Sequence, residues 1–294
     1  MNAFTAPEIV RRDLRIDFDA VPRHWHGGDG HRTRLFDALS LFFPDGERFF
    51  IESVRHFREQ LPPQSELAGE VRGFISQEAI HSREHHRYNE WLDTQGVPAG
   101  RLEALVLARL DFIRRITKPE HRLAITLCLE HFTALLADQL LRHDEVLAEA
   151  HPQMRRLWRW HAMEETEHKA VAFDVYQAVL GRGWRPTLRR CLAMLDTSFF
   201  FTWYSWRYLI TLVKADGQGR NWGGWLRLLR FMFVNPGPFL RILPGWLAWF
   251  KPGFHPWQHD NRRLLERAPA VPDDGRVSRM RASRPRNAYR IGRM

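Results

Sequence analysis

The stretch "WHAMEETEH", residues 160–168, places two histidines and three glutamates within nine positions. His161, Glu165 and His168 are four and three residues apart, so on an α-helix their side chains project from one face. Glu164 and Glu167 are expected to point away from that face. A solvated helical face could have this composition, but carboxylates and imidazoles that converge on one point are also typical ligands of a transition-metal ion.

A second Glu-x-x-His pair, Glu78 and His81, occurs in "EAIH", and the chain contains no third. Each pair lies on its own predicted long helix, and each follows a helix that holds a lone glutamate among apolar residues. Glu47 precedes Glu78 by 31 residues, and Glu130 precedes Glu165 by 35. Separations of this size allow two helices joined by a turn to bring both positions to the same level.

These two pairs and two lone glutamates match the recurring ligand set of dimetal sites in four-helix bundles. Two di- or trivalent ions need several negative charges close together, and without metal four buried carboxylates would repel one another. The predicted ligands are Glu47, Glu78, His81, Glu130, Glu165 and His168. The expected cofactor is a pair of iron ions, although manganese or a mixed pair suits the same donors.

The ligand set leaves two choices open. Glu47 lies close to a Pro-Asp-Gly break, and Glu52 on the same predicted helix could replace it. His85 follows His81 by one helical turn and could be an additional ligand or a hydrogen-bond partner of a ligand. No catalytic side chain is predicted beyond the metal ligands.

At these residues the chain resembles two known groups. The six-ligand pattern is similar to that of the ferritin-like di-iron carboxylate superfamily. The additional His161 gives His-x-x-x-Glu-x-x-His on the last ligand helix, which resembles the para-aminobenzoate N-oxygenase group, whose enzymes have a seventh, histidine ligand at that spacing. These resemblances imply a ferritin-like bundle, O₂ chemistry at two iron ions, and His161 as a seventh ligand.

Over roughly residues 8–266 the chain also resembles a bacterial family described as predicted metal-dependent hydrolases. The shared stretches are "VPRHWHGGD", "LSLFFPDGERFF", "FISQEAIHSREHHRYN", "WHAMEETEHKAVAFDVY" and "KPGFHPW". The carboxylate-rich motifs differ from a typical zinc hydrolase site, which has fewer carboxylates.

Apolar periodicity, prolines and glycines predict an all-α protein. Pro44 is expected to end the first helix and Asp45 to cap the second. Helices are expected over about 31–43, 46–60, 65–95, 100–116, 119–143 and 152–180. The predicted domains are an irregular N-terminal segment (1–30), a ferritin-like four-helix bundle with the dimetal centre (31–183), an extension of amphipathic helices (184–265) and a basic, flexible tail (266–294).

The C-terminal extension differs from the bundle in composition, because eight of the 12 tryptophans lie between residues 184 and 257. Its longest apolar run, 197–213, is shorter than the about 20 residues that cross a bilayer, and it contains Arg207. The next segments mix Arg with Trp, Phe and Leu at helical spacing. This pattern is typical of helices that lie on a membrane surface or pack against a bundle.

The net charge of +10 is concentrated in the tail, where residues 275–294 hold seven arginines and no acidic residue. Such a tail suits anionic lipid or a solubilising end, and no nucleic-acid-binding motif accompanies it, so no nucleic-acid partner is expected. The two cysteines form no CxxC motif, and the N-terminus lacks a signal-peptide pattern. We therefore expect a cytoplasmic protein, with peripheral contact on the inner face of the cytoplasmic membrane as an alternative.

Three functions fit these observations, whereas nucleotide-binding loops and nucleophile-elbow motifs are missing from the sequence. The first is a non-haem di-iron oxidase or oxygenase that acts with O₂ on an apolar organic substrate and takes electrons from an unidentified donor. The second is a dimetal hydrolase, which would use the same ligands to activate water. The third is a non-catalytic, membrane-associated metal-binding protein. A homodimer is also left open.

Overall fold

The protein is represented by a computed structural model that describes residues 6–267. Over this part of the chain the prediction of an all-α protein is confirmed, since the only β-type pairing in it is a single bridge between His26 and Ala150. The helices are α1 (Gly30–Ser40), α2 (Phe43–Arg55), α3 (Glu66–Thr94), α4 (Ala99–Ile116), α5 (Pro119–Arg142), α6 (Pro152–His168), α7 (Val171–Leu180), α8 (Trp184–Ala215), α9 (Trp222–Phe233), α10 (Pro238–Arg241), α11 (Leu243–Ala248) and α12 (Arg262–Arg267).

Four helices pack in a ring around the centre of the protein. α2 packs against α3, α3 against α6, α6 against α5, and α5 against α2. Each of these helices holds one of the predicted ligand groups, as expected for a metal site in the core of a helical bundle. α4 packs outside α2 and α3, and α7 outside α3 and α5.

Helix α5 is the most apolar of the four. Within residues 6–267, it alone is long and apolar enough to cross a membrane by length and composition, but 72% of its most apolar window is buried inside the protein. A helix that is apolar on all sides is expected where neighbours surround it. Its packing against α2, α6, α7 and α8 therefore explains its composition as that of a core helix.

The predicted boundary at Pro44 is wrong. α1 ends at Ser40 and α2 begins at Phe43, so Pro44 lies in the first turn of α2. Proline is tolerated there because the first N–H groups of a helix have no acceptor within the helix. Asp45 also lies inside this turn, where its carboxylate accepts from Arg48 Nη1 at 3.0 Å instead of capping the helix.

The single helix predicted over 152–180 is divided into α6 and α7. α6 ends at His168, and α7 begins three residues later. The side chain of Lys169 turns towards the C-terminal segment, where its Nζ donates to the His259 carbonyl and to Asn261 Oδ1, both at 2.7 Å. These contacts hold the turn against the end of the extension.

Residues 6–29 form an irregular segment that lies along α3. Leu14 and Ile16 are buried. Arg83 donates to the Leu14 carbonyl at 2.7 Å, and Arg87 donates to the Ile16 carbonyl at 3.0 Å. The N-terminal segment is thus fixed to one of the ligand helices.

The helices of the extension pack against the bundle with their inner faces. α8 packs against α5 and α1, α9 against α1, and α10 and α11 against α5. The outer face of α8 exposes a row of large apolar side chains at nearly helical spacing: Trp184, Leu188, Leu192, Leu195, Phe199 and Trp203. The basic tail predicted over 266–294 lies outside the described residues, apart from its first two positions.

Candidate metal centre

The structure brings all seven predicted ligands together between α2, α3, α5 and α6. None of these residues exposes more than 4% of its surface. They are Glu47 on α2, Glu78 and His81 on α3, Glu130 on α5, and His161, Glu165 and His168 on α6. The spacing of both motifs has therefore placed these side chains on the inner faces of their helices.

Two carboxylates lie in the middle of this group. Glu165 Oε1 is 3.1 Å from His161 Nε2, 3.6 Å from His168 Nε2 and 3.7 Å from His81 Nδ1. Glu78 Oε1 is 3.0 Å from His168 Nε2 and 4.0 Å from His81 Nδ1. Glu165 and Glu78 each lie close to histidines of both α3 and α6, so both carboxylates would be available to metal ions held there.

The remaining five residues fall into two halves. Donor atoms of Glu47, His81 and His161 lie within 4.8 Å of one another, and we call these residues the two-histidine half. Donor atoms of Glu130 and His168 are equally close to each other and to the central Glu78, and we call this pair the one-histidine half. Glu78, His81 and Glu165 form a third group of this kind. Ligands that bind one ion at about 2.0–2.2 Å have comparable separations, so these groups could hold metal ions.

The choice between Glu47 and Glu52 is decided by their placement on α2. Glu47 is buried at 1% exposure and faces the other carboxylates. The Glu52 side chain is 56% exposed and pairs with Arg114 Nε at 2.8 Å. Glu47 is therefore the residue of α2 that belongs to the centre.

Seven of the buried carboxylate oxygens in the centre have no hydrogen-bond partner among residues 6–267. They are both oxygens of Glu47, of Glu78 and of Glu130, and Oε2 of Glu165. A buried carboxylate without a donor or a cation is strongly disfavoured. Two metal ions between the halves would satisfy these oxygens and balance the four negative charges, so the donor set fits a dimetal cofactor.

The electrostatics of the carboxylates agree with this fit. Burial and neighbouring carboxylates raise the pKa of Glu47 and of Glu130 well above the usual value. Burial acts in the same direction on Glu165, but His168 and His161 outweigh it and hold the pKa of Glu165 well below the usual value. Without metal, protons would have to neutralise Glu47 and Glu130, so metal binding is expected to release protons.

Hydrogen bonds outside the centre determine which nitrogen of His168 faces the carboxylates. Gln77 Nε2 donates to the Val10 carbonyl at 2.9 Å and to Glu167 Oε2 at 2.7 Å, so Gln77 Oε1 remains as an acceptor. This oxygen is 2.8 Å from His168 Nδ1, which therefore holds a proton. The other nitrogen, Nε2, faces Glu78 and Glu130 and is available to a metal.

Glu164 orients His81 in a similar way. Glu164 Oε2 is 3.0 Å from His81 Nε2, and Glu164 Oε1 accepts from Trp160 Nε1 at 3.0 Å and from Arg12 Nη1 at 3.2 Å. Burial raises the pKa of Glu164 well above its usual value, and Arg12 acts against this shift. When Glu164 is ionised it can only accept, so His81 then donates through Nε2 and turns Nδ1 towards Glu165 and Glu78.

Arg12 connects the outer partners of both halves. Its guanidinium contacts Glu164 at 3.2 Å and Glu167 at 3.0 and 2.6 Å. Glu164 holds His81 directly, and Glu167 holds His168 through one glutamine. The prediction that Glu164 and Glu167 point away from the ligand face is confirmed, but both are buried in this network and do not face solvent.

A chain of hydrogen bonds fixes the orientation of His161. Ser40 Oγ donates to Asn89 Oδ1 at 2.8 Å, so it can only accept from His85 Nδ1, which is 2.9 Å away. His85 Nε2 is then unprotonated and accepts from His161 Nδ1 at 2.9 Å. His161 presents Nε2 to the ion position beside Glu165. Both nitrogens of His85 thus have hydrogen-bond partners, Ser40 and His161, as expected for a residue that supports a ligand.

A family model described as "predicted metal-dependent hydrolase" matches residues 10–260, which include the whole metal centre. The chain belongs to this family. No curated protein and no solved structure matches it. The family description agrees with the buried groups of histidine and glutamate that could hold metal ions, and it leaves the identity of the metal open.

In this member of the predicted metal-dependent hydrolase family, a cavity of about 140 Å³ adjoins the centre, and we call it the inner cavity. Glu47, His161 and Glu165 line this cavity, whereas Glu130 and His168 of the one-histidine half do not. Most of the wall is apolar, and it includes Phe42, Phe43, Phe50, Leu110, Trp158, Phe201, Phe231 and Phe239. Helices α8, α9 and α10 of the extension therefore close a space beside the two-histidine half.

Sequence reasoning missed the residues that hold the ligands from outside. These are Arg12, Ser40, Gln77 and Asn89, together with the roles of Glu164 and Glu167. One signal was present in the sequence, because Gln77, Glu164 and Glu167 each directly precede a ligand. No local pattern could have found Arg12, since it is 152 residues from Glu164 in the chain.

Proposed function

We propose that the protein is a non-haem dimetal oxidase or oxygenase that uses O₂ to oxidise an apolar organic molecule. The observation that supports this function is the position of the buried seven-residue centre at the end of an apolar cavity. Iron is the preferred metal because four carboxylates stabilise the ferric state and imidazole suits iron. An external one-electron reductant would supply the electrons that the reaction of O₂ requires.

The chain's residues have distinct roles in this function. A pair of iron ions, once bound, would supply the reduction of O₂ and the oxidation of the substrate. Glu78 and Glu165 would hold the two ions together, and Glu47 and Glu130 would balance their charge. The phenylalanines of the inner cavity would exclude water and hold an apolar substrate against the two-histidine half.

The test is to load the metal-free protein anaerobically with Fe(II) and mix it rapidly with O₂. We expect O₂ consumption, a transient visible absorption and about two iron ions per chain, as in other bundles with this ligand set. Protein loaded with Zn(II) is the control and should stay silent. An iron-loaded protein that consumes no O₂ would contradict the proposal.

A dimetal hydrolase is the second candidate, and the family description favours it. The same ligands would then hold ions that lower the pKa of a bound water molecule so that it attacks a substrate. The two functions differ in their need for O₂. Ester cleavage by Zn(II)- or Mn(II)-loaded protein under anaerobic conditions, with no reaction of the iron form with O₂, would select the hydrolase.

We further propose that the outer face of the extension contacts an anionic membrane surface. Besides the exposed apolar row on α8, the extension exposes Trp222 and Leu226 on α9 and Leu247 on α11. No acidic residue occurs between Asp216 and Asp260, a stretch that contains four arginines and one lysine. Apolar rings beside cationic side chains suit the headgroup boundary of a bilayer with negative charge.

Flotation with lipid vesicles tests this surface. We expect the protein to float with anionic vesicles at low salt, less at high salt, and to lose this binding in Trp203→Glu. The matched control is Ile116→Glu, because Ile116 is 62% exposed, close to the 60% of Trp203, but lies at the end of α4. Failure to float with any vesicle would contradict membrane contact, and a dimer in solution would assign the face to a second copy.

A further inference from the structure

A second cavity, of about 320 Å³, lies between α8 and the group of α9, α10 and α11, and we call it the outer cavity. Six residues line both this cavity and the inner one: Leu35, Leu39, Phe132, Leu136, Phe201 and Phe239. Because the same side chains belong to both walls, a single layer of apolar side chains separates the two spaces. The outer cavity therefore continues the inner one away from the metal centre.

The far end of the outer cavity lies at the protein surface. Thr202 and Leu243 line it and are exposed, Leu243 at 47%. Thr202 directly precedes Trp203, which belongs to the exposed apolar row of α8. The two cavities thus lie in series between this apolar surface and Glu47 and His161.

The polar groups of the two cavities lie outside the wall that they share. In the inner cavity they are the ligands Glu47, His161 and Glu165 and the hydroxyl of Thr133. In the outer cavity, Ser198 Oγ accepts from Trp246 Nε1 at 2.9 Å, whereas Ser205 Oγ is buried without a hydrogen-bond partner in the described part of the chain. The shared wall is entirely apolar, which suits a hydrocarbon chain.

The sizes of the two cavities support one ligand that occupies both. The inner cavity of about 140 Å³ is smaller than pockets for small organic ligands, which are about 300–1,000 Å³. Together the two cavities reach that range. Phe201 and Phe239 are only partly buried, so the wall between the cavities would open if their rings changed rotamer.

We propose that the two cavities form one channel that binds a long-chain amphiphile, with its hydrocarbon end beside Glu47 and His161 and its polar end at the outer mouth near Ser205. This assignment names the substrate class of the proposed oxidoreductase and depends on that function for its reaction. Binding of the chain itself requires only the channel. The oxidised position would lie at or near the end of the hydrocarbon, because that end reaches the centre.

The experiment measures displacement of a fluorescent fatty acid by saturated fatty acids of increasing chain length, using the full chain. Each added methylene that enters the channel should tighten binding about fourfold, up to the length that fills both cavities. Ser205→Trp should fill the outer cavity and weaken binding of long chains roughly tenfold. Thr211→Trp on the same helix is the control and should bind as the unchanged protein does, because Thr211 lines neither cavity.

Two results would overturn the channel. One is an affinity for fatty acids that does not increase with chain length, and the other is an equal loss of affinity in Ser205→Trp and Thr211→Trp. Metal analysis and O₂ consumption in the same preparations separate this result from the proposed function. A protein that binds metal and consumes O₂ without any chain-length dependence rejects the channel alone. Chain-length-dependent binding by a protein that takes up no metal supports the channel and rejects the oxidoreductase.

Discussion

The two halves of the metal centre contain similar ligands in different surroundings. The two-histidine half has an imidazole from α3 and another from α6, and its Glu47 and His161 line the inner cavity. The one-histidine half has only His168 and Glu130, and neither lines the inner cavity. A substrate in the cavity would therefore meet only the two-histidine half, while the other half stays enclosed.

The supports of the two halves also differ. His168 and His81 are held by glutamine and glutamate side chains that Arg12 links into one network. His161 is held by a separate chain that runs through His85 and Ser40. Outer partners orient ligands and tune their basicity. Mutations in these supporting residues can therefore change one half without the other.

The largest effect is expected where the halves meet. Glu165→Ala removes the carboxylate that contacts all three predicted histidine ligands, so both ions should lose a bridging ligand. Metal content measured by elemental analysis should fall from about two ions per chain to nearly none. Glu52→Ala, an exposed glutamate on α2, is the control and should retain the metal. Unchanged metal content in Glu165→Ala would show that this centre is not the metal site.

The next largest effect should distinguish the halves from each other. His168→Ala leaves its half without an imidazole, whereas His161→Ala leaves His81 and Glu47 in place. We expect His168→Ala to lose one ion and His161→Ala to keep both, with one bound more weakly. Titration with a competing chelator gives the two affinities separately. Equal losses in the two variants would contradict the asymmetry of the halves.

Much of the centre could be predicted from sequence because the spacing of its ligands along each helix is a local property. The spacings of Glu78 to His81 and of His161 to Glu165 and His168 fix one face of a helix, whatever the tertiary structure. The pairing of those helices followed from the similar distances to Glu47 and Glu130. The inner cavity was beyond such reasoning, because its wall combines side chains from both ends of the described chain.

The helix boundaries show a related limit. Pro44 fits either the end of one helix or the first turn of the next, and local rules do not separate these cases. The break after His168 depends on Lys169 reaching His259, which is 90 residues away in the chain. The role of His85 likewise depended on Ser40, which lies on another helix.

Arg12→Gln is expected to weaken both halves together, because Arg12 contacts the partners of His81 and of His168. Loss of outer-shell partners typically lowers metal affinity about 10–100-fold. The same chelator titration should show a similar change for each ion. Arg87→Gln is a matched control, because Arg87 also binds the N-terminal segment but contacts Glu84 and the Ile16 carbonyl, away from the ligands. A change confined to one ion would show that Arg12 does not connect the halves.

The smallest effect is expected from Ser40→Ala, which should act on the two-histidine half alone. Without Ser40 Oγ, the buried Nδ1–H of His85 loses its acceptor, at a cost of about 1–3 kcal/mol. His85 can avoid this cost by moving its proton to Nε2, and His161 would then have to hold its own proton on Nε2, the nitrogen that faces the ion position. We therefore expect weaker binding of one ion and a changed Co(II) absorption spectrum, with the other ion unaffected. Ser82→Ala is the matched control, because Ser82 is also buried and donates to the Pro44 carbonyl instead of contacting a histidine. If Ser40→Ala and Ser82→Ala bind metal alike, the chain from Ser40 to His161 does not determine which nitrogen of His161 is available.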